Sequence, residues 1–286
     1  MKRSVVVTGA STGIGYAIAQ LLAREGFHVF AGVRRAQDAD RLAEEIGDEL
    51  TPLVFDVTDP EGVAEAARDV GGRLGATTLA GLVNNAGIAT AGPLLHQPVE
   101  ELRRQLEVNV VAQVAVIQAF APLLGADRAR TGEPGRIVNM SSAAGRLAMP
   151  FTGAYAASKH ALEAISDALR RELMLYGIDV IVIEPGPIAT PIWDKAEAQD
   201  YSAYFKTDYQ NAVTRLRAYM LKRGRAGYPP ERVAASVLRA LVAPKPPARI
   251  PIVPEPLMNW IVPRLLPDRA LDRMIAKRLG LRRPDK

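Results

Sequence analysis

A glycine-rich turn between a short apolar strand and a helix constrains the fold of this chain more than any other sequence feature. Residues 4–8 are mostly β-branched, which predicts a short buried strand. The turn T-G-A-S-T-G-I-G follows at residues 8–15, and an apolar pattern of helical period covers residues 14–25. Strand, glycine turn and helix in this order favour a dinucleotide-binding unit over an ordinary glycine-rich connection.

The three glycines of the turn each have a predicted task, although their spacing is G-x-x-x-G-x-G rather than G-x-G-x-x-G. The first permits the tight turn, the second lets the backbone approach a pyrophosphate, and the third allows close packing of helix on strand. The free N–H groups and the dipole of the helix N-terminus would bind the phosphates. The turn therefore predicts six cofactor-binding residues: Gly9, Ser11, Thr12, Gly13, Ile14 and Gly15.

Apolar runs alternate with helical patterns along most of the chain. The predicted strands are 4–8, 27–33, 51–55, 79–84, 135–140, 178–183 and 248–253. The predicted helices are 14–25, 37–47, 60–74, 100–125 and 153–176. This alternation predicts an α/β fold with a single Rossmann-type, doubly wound parallel sheet of about seven strands, helices on both faces and a C-terminal helical extension.

Four residues fall at or just after the ends of predicted strands: Gly9, Asn84, Ser142 and Pro185. The carboxyl ends of parallel strands meet at one edge of a sheet, and ligands bind there in doubly wound folds. We therefore expect these residues to converge on one site.

Tyr155 and Lys159 stand four residues apart in Y-A-A-S-K, and Ser142 precedes the tyrosine by thirteen residues. Residues i and i+4 share one face of a helix. A lysine ammonium beside a phenol favours the phenolate, which predicts a lowered pKa for Tyr155. A tyrosine tuned in this way can give or take a proton on a carbonyl or alcohol oxygen.

Together these motifs resemble the short-chain dehydrogenase/reductase family over roughly residues 3–190. The family's T-G-x-x-x-G-I-G, N-N-A-G, Y-x-x-x-K and P-G motifs match residues 8–15, 84–87, 155–159 and 185–186. Ala112 departs from the pattern, because many members have glycine three residues after the helix asparagine. The resemblance implies hydride transfer without a metal, and a homodimer or homotetramer.

The resemblance also assigns roles. The implied catalytic residues are Asn109, Ser142, Tyr155 and Lys159. In this scheme the tyrosine moves the proton, the serine holds the same oxygen, the lysine tunes the tyrosine and bonds the ribose, and the asparagine anchors a water. Ser141 is the alternative catalytic serine. Ser142 is favoured because thirteen residues separate it from Tyr155, a gap that is common in steroid-type members of the family. Further cofactor-binding residues implied are Asn85, Ala86, Gly87, Tyr155, Lys159, Pro185, Gly186, Ile188 and Thr190.

The end of the second predicted strand indicates the cofactor. An NAD site commonly has Asp or Glu there, but this chain has Val33 followed by Arg34 and Arg35. A guanidinium binds a 2′-phosphate through several donors, which favours NADP(H) over NAD(H). The alternative is that both arginines are solvated charges. Asp56 and Val57 resemble the family's adenine contact.

Six of the sixteen aromatic residues lie between Trp193 and Tyr219. Family members have a mobile lid in this region, here predicted at about residues 190–226. Aromatic residues in a lid suggest a bulky apolar substrate, with Met149, Phe151 and Trp193 as substrate-binding candidates. This part resembles the steroid and retinoid dehydrogenase branch. Core or dimer packing is the alternative.

Composition narrows the other function classes. The absence of cysteine excludes disulfides and thiolate metal ligation, and three scattered histidines predict no metal site. The first predicted strand begins at residue 4, so we expect no signal peptide. The sequence has no run of 18 apolar residues, so we expect no membrane-spanning helix. A cytoplasmic location follows as the expectation.

The C-terminal segment differs from the rest of the chain in its net charge. Six prolines lie between Pro244 and Pro256, and residues 257–286 hold eight Lys/Arg against three Asp/Glu, a balance that equals the net charge of +5 of the whole chain. Charge confined to one tail argues against nucleic-acid binding. We expect a catalytic domain at 1–256 and a basic amphipathic extension at 257–286, packed over the cleft or a partner subunit. An interfacial helix in peripheral contact with a membrane is the alternative.

These observations predict an NADP(H)-dependent oxidoreductase that interconverts a carbonyl and an alcohol on a steroid-, retinoid- or aryl-ketone-like substrate. One alternative is a 3-oxoacyl-thioester reductase, against which the proline-rich C-terminal extension counts. A more remote one is a non-catalytic NADP(H)-sensing protein, which would not need to keep the Ser-Tyr-Lys set.

Overall fold

The computed structural model describes residues 2–281, so the last five residues of the predicted extension 257–286 lie outside it. Seven parallel strands form one sheet in the order β3-β2-β1-β4-β5-β6-β7. The strands are β1 Ser4–Thr8, β2 His28–Val33, β3 Leu50–Val54, β4 Gly81–Asn84, β5 Arg136–Met140, β6 Asp179–Pro185 and β7 Arg249–Ile252. The predicted doubly wound sheet is confirmed, and each strand agrees with its predicted position to within two residues.

The helices also follow the sequence pattern. They are α1 Gly13–Arg24, α2 Ala36–Ile46, α3 Pro60–Leu74, α4 Val99–Leu106, α5 Ala112–Phe120, α6 Gly153–Glu172, α7 Ile192–Ala198, α8 Gln210–Arg225, α9 Pro230–Val242, α10 Val262–Leu265 and α11 Asp268–Leu279. The predicted helix 100–125 is interrupted, because a wider π-helical turn at Glu107–Val111 separates α4 from α5. None of the described helices is long and apolar enough to cross a membrane.

Alternation along the strands builds a core on each face of the sheet. Val5 and Val7 pack with Ile18 of α1 and Val237 of α9, whereas Val6 packs on the opposite face with the helices α3 and α5. Successive side chains of a strand point to opposite faces, and a sheet covered on both sides therefore has continuously apolar strands.

The edge strand β7 lies in the proline-rich segment. Pro251 pairs in register with Glu184 of β6. A proline has no N–H for the ladder, so an edge position is where a strand tolerates it.

The chain reverses direction across the sheet between β1 and β4, which are neighbours. The loops after β1, β4, β5 and β6 therefore lie at one carboxyl edge, as expected for the topological switch point. After Thr190 the chain covers this edge with α7, α8, α10 and α11, which we call the lid helices. Phe151, Leu216 and Leu279 are buried together beneath them. Leu279 is the member of this cluster that comes from the C-terminal segment, and the role of that segment stays a prediction.

Candidate active site

The carboxyl edge of the sheet opens into one continuous cavity of about 1470 Å³, which extends from the glycine turn to the lid helices. Three of the predicted residues do not line it: Arg35, Asn109 and Asn84. Asn84 is buried inside the sheet, where its Nδ2 donates to the Asn139 Oδ1 at 3.1 Å, so the expectation that it joins the site was wrong. The predicted substrate residues Met149, Phe151 and Trp193 share this cavity with the predicted cofactor residues. The structure thus brings together residues that are separated by up to 184 positions, from Gly9 to Trp193.

The glycine turn has the geometry of a phosphate cradle. Gly9 and Gly13 have φ angles of +64° and +60°, in the left-handed region that favours glycine. A Cβ on Gly15 would collide with the carbonyl oxygen of Gly9, which explains the close packing of α1 on β1. The turn is followed directly by the N-terminus of α1, where no acidic residue occupies the first turn. This cradle fits a dinucleotide pyrophosphate.

Thr8 and Asn85 connect the glycine turn to the loop after β4. The Thr8 hydroxyl accepts hydrogen bonds from the backbone N–H groups of Asn85 and Ala86 at 3.0 and 3.1 Å. The Asn85 Nδ2 donates to the carbonyl oxygens of Thr8 and Gly9, both at 3.1 Å. The N-N-A-G motif therefore supports the cradle from below. Thr8 is not among the predicted site residues. A hydroxyl side chain at the last position of an otherwise apolar strand is the sequence signal that could have identified it.

The two arginines after β2 have different positions. Arg34 lines the cavity, whereas the Arg35 Nε donates to the Asp38 carboxylate at 2.9 Å and its side chain is 72% exposed. Burial raises the pKa of Asp56, but hydrogen bonds from Thr58 and the charge of Arg34 outweigh it and lower the pKa below its ordinary value. Of the predicted pair, only Arg34 faces the place where a cofactor could bind.

Ser142, Tyr155 and Lys159 meet between β5 and α6. Ser142 caps a short helical turn by accepting a hydrogen bond from the Ala144 N–H at 3.1 Å. The Lys159 Nζ donates to the Met140 carbonyl oxygen at 2.8 Å and lies 5.8 Å from the centre of the Tyr155 ring. The Ser141 hydroxyl is buried and has no hydrogen-bond partner among residues 2–281. The cavity thus holds a phenol, a hydroxyl and an ammonium side by side.

The pKa of Tyr155 is shifted in the direction opposite to the one expected. Burial raises it above the ordinary value of a phenol, and the hydrogen bond with Ser142 lowers it only in part. Burial also lowers the pKa of Lys159 to about 8, against the opposing effect of Glu163. The expectation of a lowered tyrosine pKa was wrong for this structure, because desolvation dominates and the lysine bonds to a backbone carbonyl.

Asn109 lies in the π-helical turn between α4 and α5 and is fully buried. Its Oδ1 accepts from the Ile88 N–H at 2.8 Å, and its Nδ2 donates to the Ile88 carbonyl at 2.8 Å and to the Ser158 hydroxyl at 3.0 Å. These bonds hold the loop after β4 against α6, which carries Tyr155. The side-chain amide of Asn109 therefore bonds to the loop after β4 and to α6. Its role in anchoring a water stays a prediction.

A buried network of charges lies behind the Ser142 loop. Arg146 pairs with Glu163 of α6 and Glu184 of β6, both at 2.9 Å, and Arg249 of β7 pairs with Glu163 at 3.0 Å. The two glutamate side chains are 4% and 1% exposed. Burial raises the pKa of Glu184, although Arg146 opposes this. No sequence pattern indicates this network, because its members belong to four separate elements.

Trp193 anchors the lid helix α7. Its indole N–H donates to the Ile188 carbonyl oxygen at 2.7 Å, and its ring lies against Gly224 of α8, where any Cβ would collide with it. Phe151 on the other side of the cavity has a φ of +65°, which is uncommon for a bulky residue. Gly224 does not itself line the cavity, but it leaves the space in which the Trp193 ring packs.

A doubly wound sheet with a phosphate cradle and a Ser-Tyr-Lys cluster at its switch point places the protein among the Rossmann-fold oxidoreductases. The family model for short chain dehydrogenases matches residues 3–201. The NADPH-dependent 3-dehydrocapnine reductase of Ornithobacterium rhinotracheale is 44% identical over 277 residues, which cover 97% of each chain. The chain belongs to the short-chain dehydrogenase/reductase family.

Two further similarities agree with this assignment. Retinol dehydrogenase 5 of Mus musculus is 38% identical over 189 residues, 66% of this chain and 57% of that protein. The crystal structure of a short-chain dehydrogenase from Streptomyces avermitilis superposes with a TM-score of 0.76 at 28% identity, covering 97% of this chain and 94% of that one. The similarity to a retinol dehydrogenase fits the steroid and retinoid branch.

Proposed function

We propose that the protein is an NADP(H)-dependent reductase that converts a ketone on a bulky, largely apolar substrate to an alcohol. The observation that carries the proposal is the position of Ser142, Tyr155 and Lys159, which line the same cavity as the glycine cradle and the apolar lid residues. One cavity can therefore hold a dinucleotide and an apolar substrate with a proton donor between them.

The chain's own residues account for the proton. The nicotinamide supplies the hydride when it is bound. Tyr155 donates its phenolic proton to the substrate oxygen, and Ser142 donates a hydrogen bond to the same oxygen. The positive charge of Lys159 stabilises the phenolate that remains. Asn109 acts as a positioning residue, because its bonds to Ile88 and Ser158 fix the loop and helix on either side.

The cofactor is NADP(H). Arg34 lines the cavity at the end of β2, where an NAD site commonly has a carboxylate, and the Ornithobacterium relative is NADPH-dependent by name. Asp56 and Val57 line the cavity and would contact the adenine. Thr190, which lies against Gly13, would contact the nicotinamide amide.

The relative's name also supports reduction as the direction. A panel of ketones tests the proposal: NADPH oxidation is followed with steroid, retinoid and aryl ketones and with acetoacetyl thioesters. We expect turnover of an apolar ketone, with the cytoplasm as the proposed location of the reaction. Turnover of thioesters alone would favour the 3-oxoacyl-thioester reductase instead, and no turnover of any carbonyl would contradict both.

The separate positions of the two arginines give the first prediction. Arg34→Ala should lower the ratio of kcat/KM with NADPH to kcat/KM with NADH by about tenfold or more. The reason is that losing the charge-assisted hydrogen bonds from Arg34 to the 2′-phosphate costs on the order of 1.5–3 kcal/mol. Arg35→Ala is the matched control, since Arg35 pairs with Asp38 outside the cavity, and should leave the ratio nearly unchanged. Steady-state kinetics with both cofactors decide. An equal effect of the two variants would mean that Arg34 has no special role.

The second prediction concerns the extension 257–286. Deleting it should raise KM for an apolar ketone by about tenfold or more, because side chains such as Ile275 and Leu279 leave the cavity wall and each is worth more than about 1 kcal/mol when buried. Size-exclusion chromatography of both chains tests whether the segment also supports a homodimer or homotetramer. If only the intact chain binds anionic vesicles and KM is unchanged, the peripheral membrane interpretation is correct instead.

A further inference from the structure

The lid side of the cavity is strongly cationic. After Ile188, six charged residues line it, five of them positive and one negative: Lys195, Arg217, Arg223, Arg264, Arg278 and Glu255. A purely apolar ketone such as a steroid or a retinoid gives these charges nothing to bind. The charge of the lining therefore carries information about the substrate that the catalytic residues do not.

The cavity arginines differ from their neighbours outside the cavity. Arg225 on α8 pairs with both Asp194 and Glu197, and Arg269 lies 4.0 Å from Asp272. By contrast, within residues 2–281 no carboxylate lies within ion-pair distance of Arg223, Arg264 or Arg278. Clusters of like charge without counter-charges are unfavourable unless a ligand compensates them.

One aromatic ring, that of Tyr219, contacts two of these arginines. The guanidinium carbons of Arg223 and Arg278 lie 6.0 and 4.4 Å from the centre of the Tyr219 ring. Because both distances are measured to one centre, the two carbons are no farther apart than their sum of about 10.4 Å. A guanidinium on a ring face keeps its N–H edge free to bind an oxyanion.

A third arginine of the cavity lining, Arg217, has unused donor capacity. Its guanidinium lies 5.3 Å from the centre of the Tyr201 ring and donates to the Glu197 carbonyl oxygen, but its Nε is buried without a hydrogen-bond partner among the described residues. The rest of the lid-side lining is mostly apolar and includes Leu216, Met220, Leu271 and Ile275. The lid helices thus present an apolar wall and a group of arginines to the same space.

From this arrangement we propose that the substrate is an amphiphile with an oxyanion head group, such as a carboxylate, sulfonate or phosphate, which Arg223 and Arg278 bind. The apolar part of the substrate lies along the lid wall. The inference rests on the proposed function for the position of the reacting carbonyl at Tyr155. It makes Arg223 and Arg278 specificity-determining residues.

An anionic membrane surface is the competing ligand for the same arginines. The structure favours a head group in the cavity, because Arg223 is half-buried and both arginines line the cavity wall. Arg278 is itself exposed, as are Arg269 and Arg273 on the same helix α11. Arg269 and Arg273 differ from it because they do not line the cavity, and they are therefore better placed to meet a surface. They supply a matched control with the same change of charge.

The protein contains two tryptophans, Trp193 and Trp260, and both line the cavity, so intrinsic fluorescence reports its occupancy directly. The NADPH-loaded protein is titrated with laurate and with 1-dodecanol below their aggregation limits. Three forms are compared: wild type, the double variant Arg223→Gln/Arg278→Gln and the double variant Arg269→Gln/Arg273→Gln. The same forms are then sedimented with anionic phospholipid vesicles.

We expect wild type and the Arg269/Arg273 variant to bind laurate at least about tenfold more tightly than 1-dodecanol, since one charge-assisted hydrogen bond is worth about that factor. The Arg223/Arg278 variant should lose this preference and keep its affinity for the alcohol. Equal affinity for the two ligands in wild type, or an unchanged preference in the Arg223/Arg278 variant, would overturn the proposal. The proposal would also be overturned if the Arg223/Arg278 variant lost binding to anionic vesicles but kept its preference for laurate.

The outcome is separable from the proposed function. Reduction of a neutral aryl ketone depends on Ser142, Tyr155 and Lys159, whereas the fluorescence titration needs no turnover. Ketone reduction with no preference for laurate contradicts only the head-group inference. A laurate preference without reduction of any carbonyl contradicts only the proposed function.

Discussion

Replacing Tyr155 by phenylalanine is expected to lower kcat for NADPH-dependent ketone reduction by about 10²- to 10⁴-fold, the range that a positioned proton donor contributes. The substitution removes the transferable proton and leaves the ring in place. Binding of NADPH, measured by fluorescence, should therefore stay within about twofold of wild type, because the loss belongs to the transition state. Single-turnover measurements at saturating NADPH separate the chemical step from cofactor binding.

Two variants make this test specific. Ser142→Ala removes the second donor to the same oxygen and should lower kcat while leaving NADPH binding unchanged. Tyr176→Phe is the matched control, because this tyrosine lies in the turn after α6 and does not line the cavity. Wild-type turnover in Tyr155→Phe, or an equal loss in Tyr176→Phe, would show that the phenol is not the proton donor.

Much of the fold could be predicted because each element carries its own signal. The β-branched run of β1, the glycines of the following turn and the apolar alternation of strands and helices act over short sequence distances. Asp59 and Pro60 at the start of α3 are a further local signal, and the Asp59 carboxylate accepts a hydrogen bond from the Glu61 N–H at 3.2 Å. Short-range patterns of this kind need no knowledge of tertiary contacts.

What could not be predicted depends on contacts between distant elements. Sequence alone does not reveal that Arg34 faces the cavity while Arg35 pairs with Asp38, because adjacent side chains diverge at the start of a helix. The spacing of Tyr155 and Lys159 predicted a shared helix face. It did not predict that the lysine would bond to the Met140 carbonyl or that burial would raise the pKa of the tyrosine.

The buried charges behind the active site are another such tertiary feature, and they lead to the second large prediction. Arg146→Met should lower the free energy of unfolding by about 3 kcal/mol, because removing one partner of a buried ion pair leaves a charge without compensation. Both Glu163 and Glu184 lose an arginine, and among residues 2–281 only Arg249 then remains within ion-pair distance of them, at 3.0 and 3.8 Å. The Ser142 loop also loses the salt bridges through which Arg146 joins it to α6 and β6.

The pH dependence identifies the cause. In the folded protein burial raises the pKa of Glu184, so its contribution to stability is greatest when it is protonated and is lost as pH rises through the folded-state pKa. Arg146 counteracts that rise, so its removal raises the pKa further. The deficit of the variant relative to wild type should therefore be larger at pH 8 than at pH 5.5, as measured by urea unfolding at both values.

Arg225→Met is the matched control for this prediction, because Arg225 also contacts two carboxylates, Asp194 and Glu197, but does so at the surface. Exposed pairs are screened by solvent, so this variant should shift the unfolding midpoint only slightly at either pH. A deficit in Arg146→Met that does not change between pH 8 and pH 5.5 would point to lost packing of the arginine stem. In that case the buried glutamates would not be the source of the instability, and the network would not be what fixes the Ser142 loop to the sheet.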